Sequence, residues 1–422
     1  MRSTHTAVVV AFVFAALSAQ AQRPASWTEP VEPFRVIANV HYVGTADLTS
    51  FLITTPAGHV LLDAPLEENV PHLLTSIREL GFDPADVEIL IGSHAHFDHA
   101  GGFARIKEAT GARLLLSRAD AALVEQGGRD DFAFGDRGAF TPAQADGFVE
   151  DGDVVELGGV RLRAVLTPGH TKGGTSWLMD VEEGGETYRV LFANSLSAPG
   201  YDLRDNQKYP SIMDDYRASF DRLAAIDADV FLATHGSFFR LQQKREEMAA
   251  REAEGDGRNP FIDREESKRY VERWRGIVEG QVLDQEVVEA VGAILDRFHR
   301  AAAEADAETY FSLLEDEAVY LGTDAGERWS VDDFRAFAQP YFDRGQGWTY
   351  VPTSRHVDLD EDRSTAWFDE MLENDSYGTT RGTGVLMKTP DGWRIVQYHL
   401  TIPIPNEIAK EVVERIRKVG GG

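Results

Sequence analysis

The sequence predicts an α/β domain followed by a smaller α+β domain. Short apolar runs alternate with helix-periodic segments up to about residue 240, the pattern of strands and helices taking turns. From about residue 284 the order changes to helices first and strands after, which marks a separate α+β unit. At 422 residues the chain also exceeds the size at which one compact core stops growing.

In the first part, apolar runs at 34–43, 51–53 and 60–62 are broken by Gly44, Pro56 and Gly58 and read as consecutive strands with tight turns. Residues 69–80 have helical periodicity and stop at Gly81. Residues 87–91, Val-Glu-Ile-Leu-Ile, form a short strand of the buried type, and a histidine-rich run follows it directly, with Gly101 and Gly102 opening the next helix. Further strands are predicted at 113–117, 154–166, 175–179, 190–193 and 230–233. Residues 241–275 are rich in Lys, Arg and Glu, with a break at Gly255-Asp256-Gly257 and Asn259-Pro260, and read as a solvated helical face closing the first domain.

In the second part, helices are predicted at 286–305, 307–314 and 331–342 and a strand at 319–322. Antiparallel strands follow at 350–357, 364–372, 382–388 and 393–402, with Asp391-Gly392 as a hairpin turn. Trp329, Trp367 and Tyr398 are aromatic candidates for lining a pocket, although alternating apolar positions fit core packing better. No acid/base pair or metal cluster stands out in this part.

Composition narrows the class. The chain carries 42 Lys and Arg against 70 Asp and Glu, a formal charge of -28, which disfavours phosphate backbones and anionic lipid as partners. A small-molecule substrate is expected, with neither nucleic acid nor membrane. There is no cysteine, so any metal is held by imidazole and carboxylate. At the start, Arg2, an apolar run at 7–17 and Ala19-Gln20-Ala21 have the layout of a removable signal peptide. The run is shorter than the roughly 20 residues a membrane-spanning helix needs. The expected organisation is a signal peptide at 1–21, a first domain at 22–283 and a second at 284–422, in a protein located in the periplasm or secreted.

The chemistry is concentrated in Ser93-His94-Ala95-His96-Phe97-Asp98-His99. In an extended loop His94 and His96 point the same way and meet one ion, while Asp98 and His99 turn toward a second. Three imidazoles and a carboxylate packed this tightly strand buried polar groups unless a cation joins them, and nitrogen with carboxylate oxygen suits zinc rather than calcium or magnesium. Further ligands are expected at other strand ends, and His170 in Thr167-Pro168-Gly169-His170-Thr171 and His235 in Thr234-His235-Gly236 have that context. Five of the twelve histidines are thus set apart; His5, His41, His59, His72, His299, His356 and His399 are expected to be ordinary core or surface residues. Asp63, at the end of a strand, is a candidate for orienting a ligand or loop, or for capping a helix.

The run His94-x-His96-x-Asp98-His99, followed by His170 and His235, resembles the metallo-β-lactamase superfamily. The segments Asp63-Ala64-Pro65-Leu66-Glu67-Glu68-Asn69, Ala100-Gly101-Gly102 after the histidine run, Lys172-Gly173-Gly174-Thr175-Ser176-Trp177 after His170, and Ser195-Leu196-Ser197-Ala198-Pro199-Gly200-Tyr201 resemble the third subclass of class B β-lactamases, a likeness running from about Trp27 to Val282. The resemblance implies a four-layer αββα sandwich with the site at one edge. It implies two zinc ions per chain, one on His94, His96 and His170, the other on Asp98, His99 and His235. It further implies that a metal-bridging hydroxide, oriented by Asp98, opens a β-lactam ring, with Ser195 and Ser197 meeting the substrate carboxylate directly or through water. Two positions depart from the pattern: Gly174 stands where many relatives have cysteine and Asn194 where many have aspartate.

From about residue 284, Gly322-Thr323-Asp324-Ala325-Gly326-Glu327-Arg328-Trp329, Ala366-Trp367-Phe368-Asp369-Glu370 and Arg381-Gly382-Thr383-Gly384-Val385-Leu386 resemble the SnoaL-like branch of the nuclear transport factor 2-like superfamily, a conical α+β fold. Its members serve different ends, and an accessory role or a homodimer through this domain is expected here. The sequence thus describes a secreted zinc-dependent β-lactamase. A lactone or ester hydrolase with the same site, and a binding protein working through the second domain, are the alternatives.

Overall fold

Neighbouring residues of a strand point to opposite faces, and Phe51-Leu52 shows what this does. Phe51 packs edge-on against Phe192 at 5.3 Å, whereas Leu52 joins a core with Leu73, Ile77 and Phe103. One sheet therefore meets helices on one side and a second sheet on the other. The structure, a computed structural model, describes residues 23–419, so the expected signal peptide lies outside the described residues. The chain forms two units, one up to Gly276 and one from Ile277.

The first sheet of the first unit is built from β1 (Phe34–Ile37), β2 (Val40–Tyr42), β3 (Phe51–Thr55), β4 (Gly58–Leu62), β5 (Val87–Ile91), β6 (Arg113–Ser117) and β7 (Gly147–Val149), in that spatial order. The first four are antiparallel; β4 to β7 run parallel. The second sheet comprises β8 (Val154–Leu157), β9 (Val160–Leu166), β10 (Thr175–Glu183), β11 (Glu186–Ala193) and β12 (Val230–Ala233), with β12 and β11 parallel. The helices of this unit are α1 (Val70–Glu79), α2 (Phe97–Ala100), α3 (Phe103–Thr110), α4 (Arg118–Glu125), α5 (Ile212–Ala224) and α6 (Leu241–Glu254), followed by the start of α7 (Glu266–Ala303). This is the αββα layering that the resemblance implies.

Several predicted elements change at their edges. The run at 34–43 is two strands around a turn in which Ala38 takes a φ of 46°, and the strand expected at 154–166 divides at Gly158 and Gly159, both at positive φ. Sequence reading did not anticipate α4 or α5. In α5 the inward positions are Ile212, Tyr216, Phe220 and Leu223, a true helical stripe masked by acidic and basic neighbours. The segment at 241–275 is not wholly solvated either: Lys244 is fully buried and paired with Glu266 at the start of α7.

The boundary expected near 283 falls inside α7, a single helix of 38 residues. No proline interrupts it, and interior glycines such as Gly276 and Gly280 cost only about 1 kcal/mol each relative to alanine.

The second unit has one six-stranded sheet: β13 (Leu314–Leu321), β14 (Arg328–Ser330), β15 (Val351–Leu359), β16 (Thr365–Asn374), β17 (Gly378–Thr389) and β18 (Gly392–Thr401), ordered β14-β13-β18-β17-β16-β15. With it are α8 (Ala307–Ser312), α9 (Val331–Phe342) and α10 (Ala409–Val419), the last unanticipated. Leu295 and Phe298 of α7, Phe334 of α9 and Phe368, Ile395 and Tyr398 of the sheet share one core. The three aromatic candidates do not line a common pocket: Tyr398 is 2% exposed in this core, while Trp367 is 45% exposed on the opposite face of β16.

His299 is a core histidine with a buried partner. Its Nε2 lies 2.6 Å from Glu370 Oε1, Glu370 Oε2 accepts from Arg355 Nε at 2.9 Å, and Arg355 Nη1 reaches Asp296 Oδ1 at 2.8 Å. The signal was in the strand: Ala366, Phe368, Glu370 and Leu372 share the buried face, and a carboxylate in such a row needs a buried partner.

Candidate metal centre

The ligand segments leave the sheets where hydrogen bonding stops. β5 ends at Ile91; Ser93 to His96 are extended, and Phe97–Ala100 then close into one helical turn that turns Asp98 and His99 back toward the strand end. His170 follows β9 in a turn that requires Gly169, whose φ is 132° and whose missing Cβ would lie 2.8 Å from the Tyr216 ring; only glycine is relaxed there. His235 follows β12 directly.

These turns bring one atom each of His94, His96 and His170 within 4.8 Å of one another. His170 Nδ1 donates to the Ser197 carbonyl at 2.7 Å, which leaves its Nε2 a lone pair 3.1 Å from His96 Nδ1. Ser93 Oγ donates to Asp63 Oδ2 at 2.7 Å and lies 3.1 Å from His94 Nδ1, so it accepts the proton of that nitrogen. His94 Nε2 is then a second lone pair, buried and without a hydrogen-bond partner. Burial and the imidazoles of His99, His170 and His96 hold His94 well below the ordinary histidine value, and burial with His96 does the same to His170. Neutral nitrogens facing one another in a buried space need a shared cation, and this donor set fits zinc.

A second triad adjoins it. Asp98 Oδ2 lies 3.5 Å from His99 Nε2 and 3.6 Å from His235 Nε2, and the two nitrogens are 3.3 Å apart. Burial would raise Asp98, but His99 and His235 outweigh it and keep the carboxyl well below the usual range. Burial would lower His99, yet Asp98 and Asp63 raise it to about 9. All six expected ligand side chains are therefore gathered into two adjoining groups.

Asp63 is not a helix cap. Its backbone is left-handed, φ 61°, and its carboxylate accepts Ser93 N and Ser93 Oγ, each at 2.7 Å, while lying 3.6 Å from His99 Nδ1. Ser195 is buried and its Oγ lies 3.0 Å from that of the half-buried Ser197, in a loop fastened to His170 through the Ser197 carbonyl. Tyr270 fixes that loop by accepting from Leu196 N and donating to the Asn194 carbonyl. The two departures from the family pattern touch: a Cβ on Gly174 would lie 2.2 Å from Asn194 Nδ2, so the glycine makes room for the amide.

Sequence reading missed three carboxylates. Asp47 Oδ2 meets His235 Nδ1 at 3.0 Å; burial opposes its ionisation, but His235 and Ser237 N bring it down to about 2. Asp120 accepts Thr171 Oγ1 and Gly173 N at 2.9 Å and also takes the Ala95 N–H, tying together the turns that carry His94, His96 and His170. Burial raises it to about 6. Asp131 faces His96. None has a local motif, because each acts across a long stretch of chain.

Residues 47–235 match the metallo-beta-lactamase superfamily, and residues 291–405 match the SnoaL-like domain. Among solved structures, the HARLDQ-motif metallo-beta-lactamase of Cronobacter sakazakii is 43% identical with a TM-score of 0.58, over 62% of this chain and 97% of that one. The native FEZ-1 metallo-beta-lactamase of Legionella gormanii is 40% identical with a TM-score of 0.59, over 61% and 98%. BJP-1, a subclass B3 metallo-beta-lactamase of Bradyrhizobium japonicum, is 36% identical with a TM-score of 0.59, over 63% and 98%. The chain belongs to the metallo-beta-lactamase superfamily and is a hydrolase of that superfamily, with subclass B3 neighbours and a SnoaL-like domain in its C-terminal region.

Curated relatives extend to other acyl chemistries. A hydroxyacylglutathione hydrolase of Rhodopseudomonas palustris is 34% identical over 132 residues, 31% of this chain and 42% of the relative. The N-acyl homoserine lactonase AttM of Agrobacterium fabrum is 31% identical over 157 residues, 31% of this chain and 58% of the relative. The chain spans about half the length of these curated relatives. Set beside His94-Ala95-His96-Phe97-Asp98-His99, the motif named for the Cronobacter enzyme has Arg, Leu and Gln in its third, fourth and sixth places. Likeness at this level does not by itself fix a ligand set; here one atom each of His94, His96 and His170 lies within 4.8 Å of the others.

Proposed function

We propose that this chain is a zinc-dependent β-lactamase, located in the periplasm or secreted, that holds two ions per chain. The observation that supports the reading is the loop with Ser195 and Ser197, whose hydroxyls lie 3.0 Å apart and which is fastened to His170 of the triad through the Ser197 carbonyl. A β-lactam presents a carboxylate next to its scissile amide, and hydroxyls at that position receive it. Ser197, the less buried of the pair, is the hydroxyl that meets substrate, and Ser195 sets its orientation.

Zinc held by these residues would supply a water acidified to a pKa near 7 and a Lewis acid for the carbonyl oxygen. The chain supplies the remainder. Asp98, kept ionised by His99 and His235, accepts a hydrogen bond from the attacking water and aims it. Ser93, Asp47 and the Ser197 carbonyl accept the outer N–H groups of His94, His235 and His170, fixing each tautomer so that the inner nitrogen is free to ligate.

The test is turnover of a cephalosporin, a carbapenem and an N-acyl homoserine lactone by purified protein, before and after chelation. Lactam hydrolysis that is lost on chelation and returns with zinc supports the reading. Lactone hydrolysis without lactam hydrolysis overturns it in favour of a second reading, a lactonase, which the matches to N-acyl homoserine lactonases motivate. The export step is checked by N-terminal sequencing of extracytoplasmic protein, with Gln22 expected as the first residue.

A further inference from the structure

We propose that Asp131, on the loop between α4 and β7, is the positioning carboxylate for His96 and thereby makes that loop part of the metal centre; the inference rests on the metal reading above. An imidazole that binds metal through one nitrogen carries a proton on the other, and that proton needs an acceptor. His94 uses Ser93, His170 uses the Ser197 carbonyl and His235 uses Asp47. His99 has Asp63 at 3.6 Å. His96 turns Nδ1 toward His170, which leaves Nε2 buried and without a hydrogen-bond partner. The group facing that nitrogen is Asp131 Oδ2, at 3.8 Å.

Asp131 is built to stay there. It is 5% exposed, and its Oδ1 accepts from Ala133 N and Phe134 N at 2.8 Å each, so Oδ2 is held toward His96. Phe134 packs edge-on against the His96 ring at 5.0 Å. Phe132 sits against Tyr201 and Tyr209, and Asp130 pairs with Lys208, which anchors the loop to the 201–209 segment. Tyr201 in turn donates to the His170 carbonyl at 3.1 Å. The loop thus touches His96 directly and reaches His170 through Tyr201.

A purely structural role, in which Asp131 only closes its own turn through Oδ1, makes a different forecast. Asp131→Asn keeps a carbonyl oxygen for the Ala133 and Phe134 N–H groups but turns an NH2 toward the Nε2 proton of His96, setting donor against donor. Chelator-stripped wild type and variant are titrated with zinc in competition with a chromophoric chelator, and thermal unfolding confirms that the variant is folded. One of two zinc equivalents is expected to weaken about 10- to 100-fold in Asp131→Asn, with the other retained. Unchanged affinity for both overturns the proposal and leaves the metal centre standing; a wild type that binds no zinc overturns both. Independently of any variant, zinc-loaded wild type is expected to show a slowly exchanging, downfield Nε2 proton for His96 in nitrogen-correlated NMR, and its absence overturns the assignment.

Discussion

Four of the five imidazoles of the centre turn one nitrogen to the cluster and the other toward a protein oxygen, and those outer groups come from several parts of the chain: Ser93, Asp47, Asp63 and the Ser197 carbonyl. That division explains why the ligands were legible and their partners were not. Four ligating side chains crowd into six consecutive positions, a local signal, whereas Asp47 lies 188 residues from His235. At this scale Asp98→Ala is expected to lose most hydrolytic activity and one zinc equivalent, because the carboxylate both joins the second triad and aims the water. Elemental analysis beside a turnover assay checks it, and full activity in the variant removes Asp98 from the mechanism. Asp120→Ala is expected to destabilise the first unit by about 1–3 kcal/mol for the buried donors it leaves unpaired, read as a lower denaturant midpoint for the metal-free protein. An unchanged midpoint means that Asp120 does not clamp the two ligand turns.

Elements were read well where periodicity was strong and poorly where charge hid it. The strands that end in ligands, β5, β9 and β12, fall where apolar runs give way to histidine. The inward stripe of α5 was masked by its acidic and basic neighbours, and the division between the two units falls within the single helix α7. In the second unit a polar group ties α7 to β15 and β16: His299, Glu370 and Arg355, with Asp296 at its edge. Burial would raise Glu370, but His299 and Arg355 overcome it and hold the carboxyl below its ordinary value of 4.5. A carboxyl depressed in the folded state contributes stability that is present above its ordinary value and is lost as pH falls through the folded one. The second unit is therefore expected to lose stability below about pH 4.5, and Glu370→Ala to remove that pH dependence together with about 3–5 kcal/mol at neutral pH. Tyr398 also faces this group but stays neutral through the range, since burial drives its value far up. Urea unfolding at pH 7 and pH 4, followed by probes in each unit, is the measurement; equal loss in wild type and variant on acidification refutes the assignment.

At the scale of the molecule, each unit has its own core, and among the described residues the candidate metal-binding groups lie in the first. A ligand that binds only the folded state raises stability by mass action. Zinc is therefore expected to raise the unfolding temperature of one transition, with the other unmoved, and calorimetry with and without chelator would reveal a single joint shift if the units unfold together. Among the described residues no helix is long and apolar enough to cross a membrane.

By itself the sequence determined which side chains could hold metal and that strands and helices alternate before a second, differently ordered unit, because those properties are written in neighbouring residues and in short periods. Only the tertiary structure decided which nitrogens face inward, which carboxylates stand behind them, and that His299 has a buried partner. Those are contacts between residues far apart in the chain, and burial, which turns such a contact into a shifted charge or a lone pair needing a cation, exists only once the layers have packed.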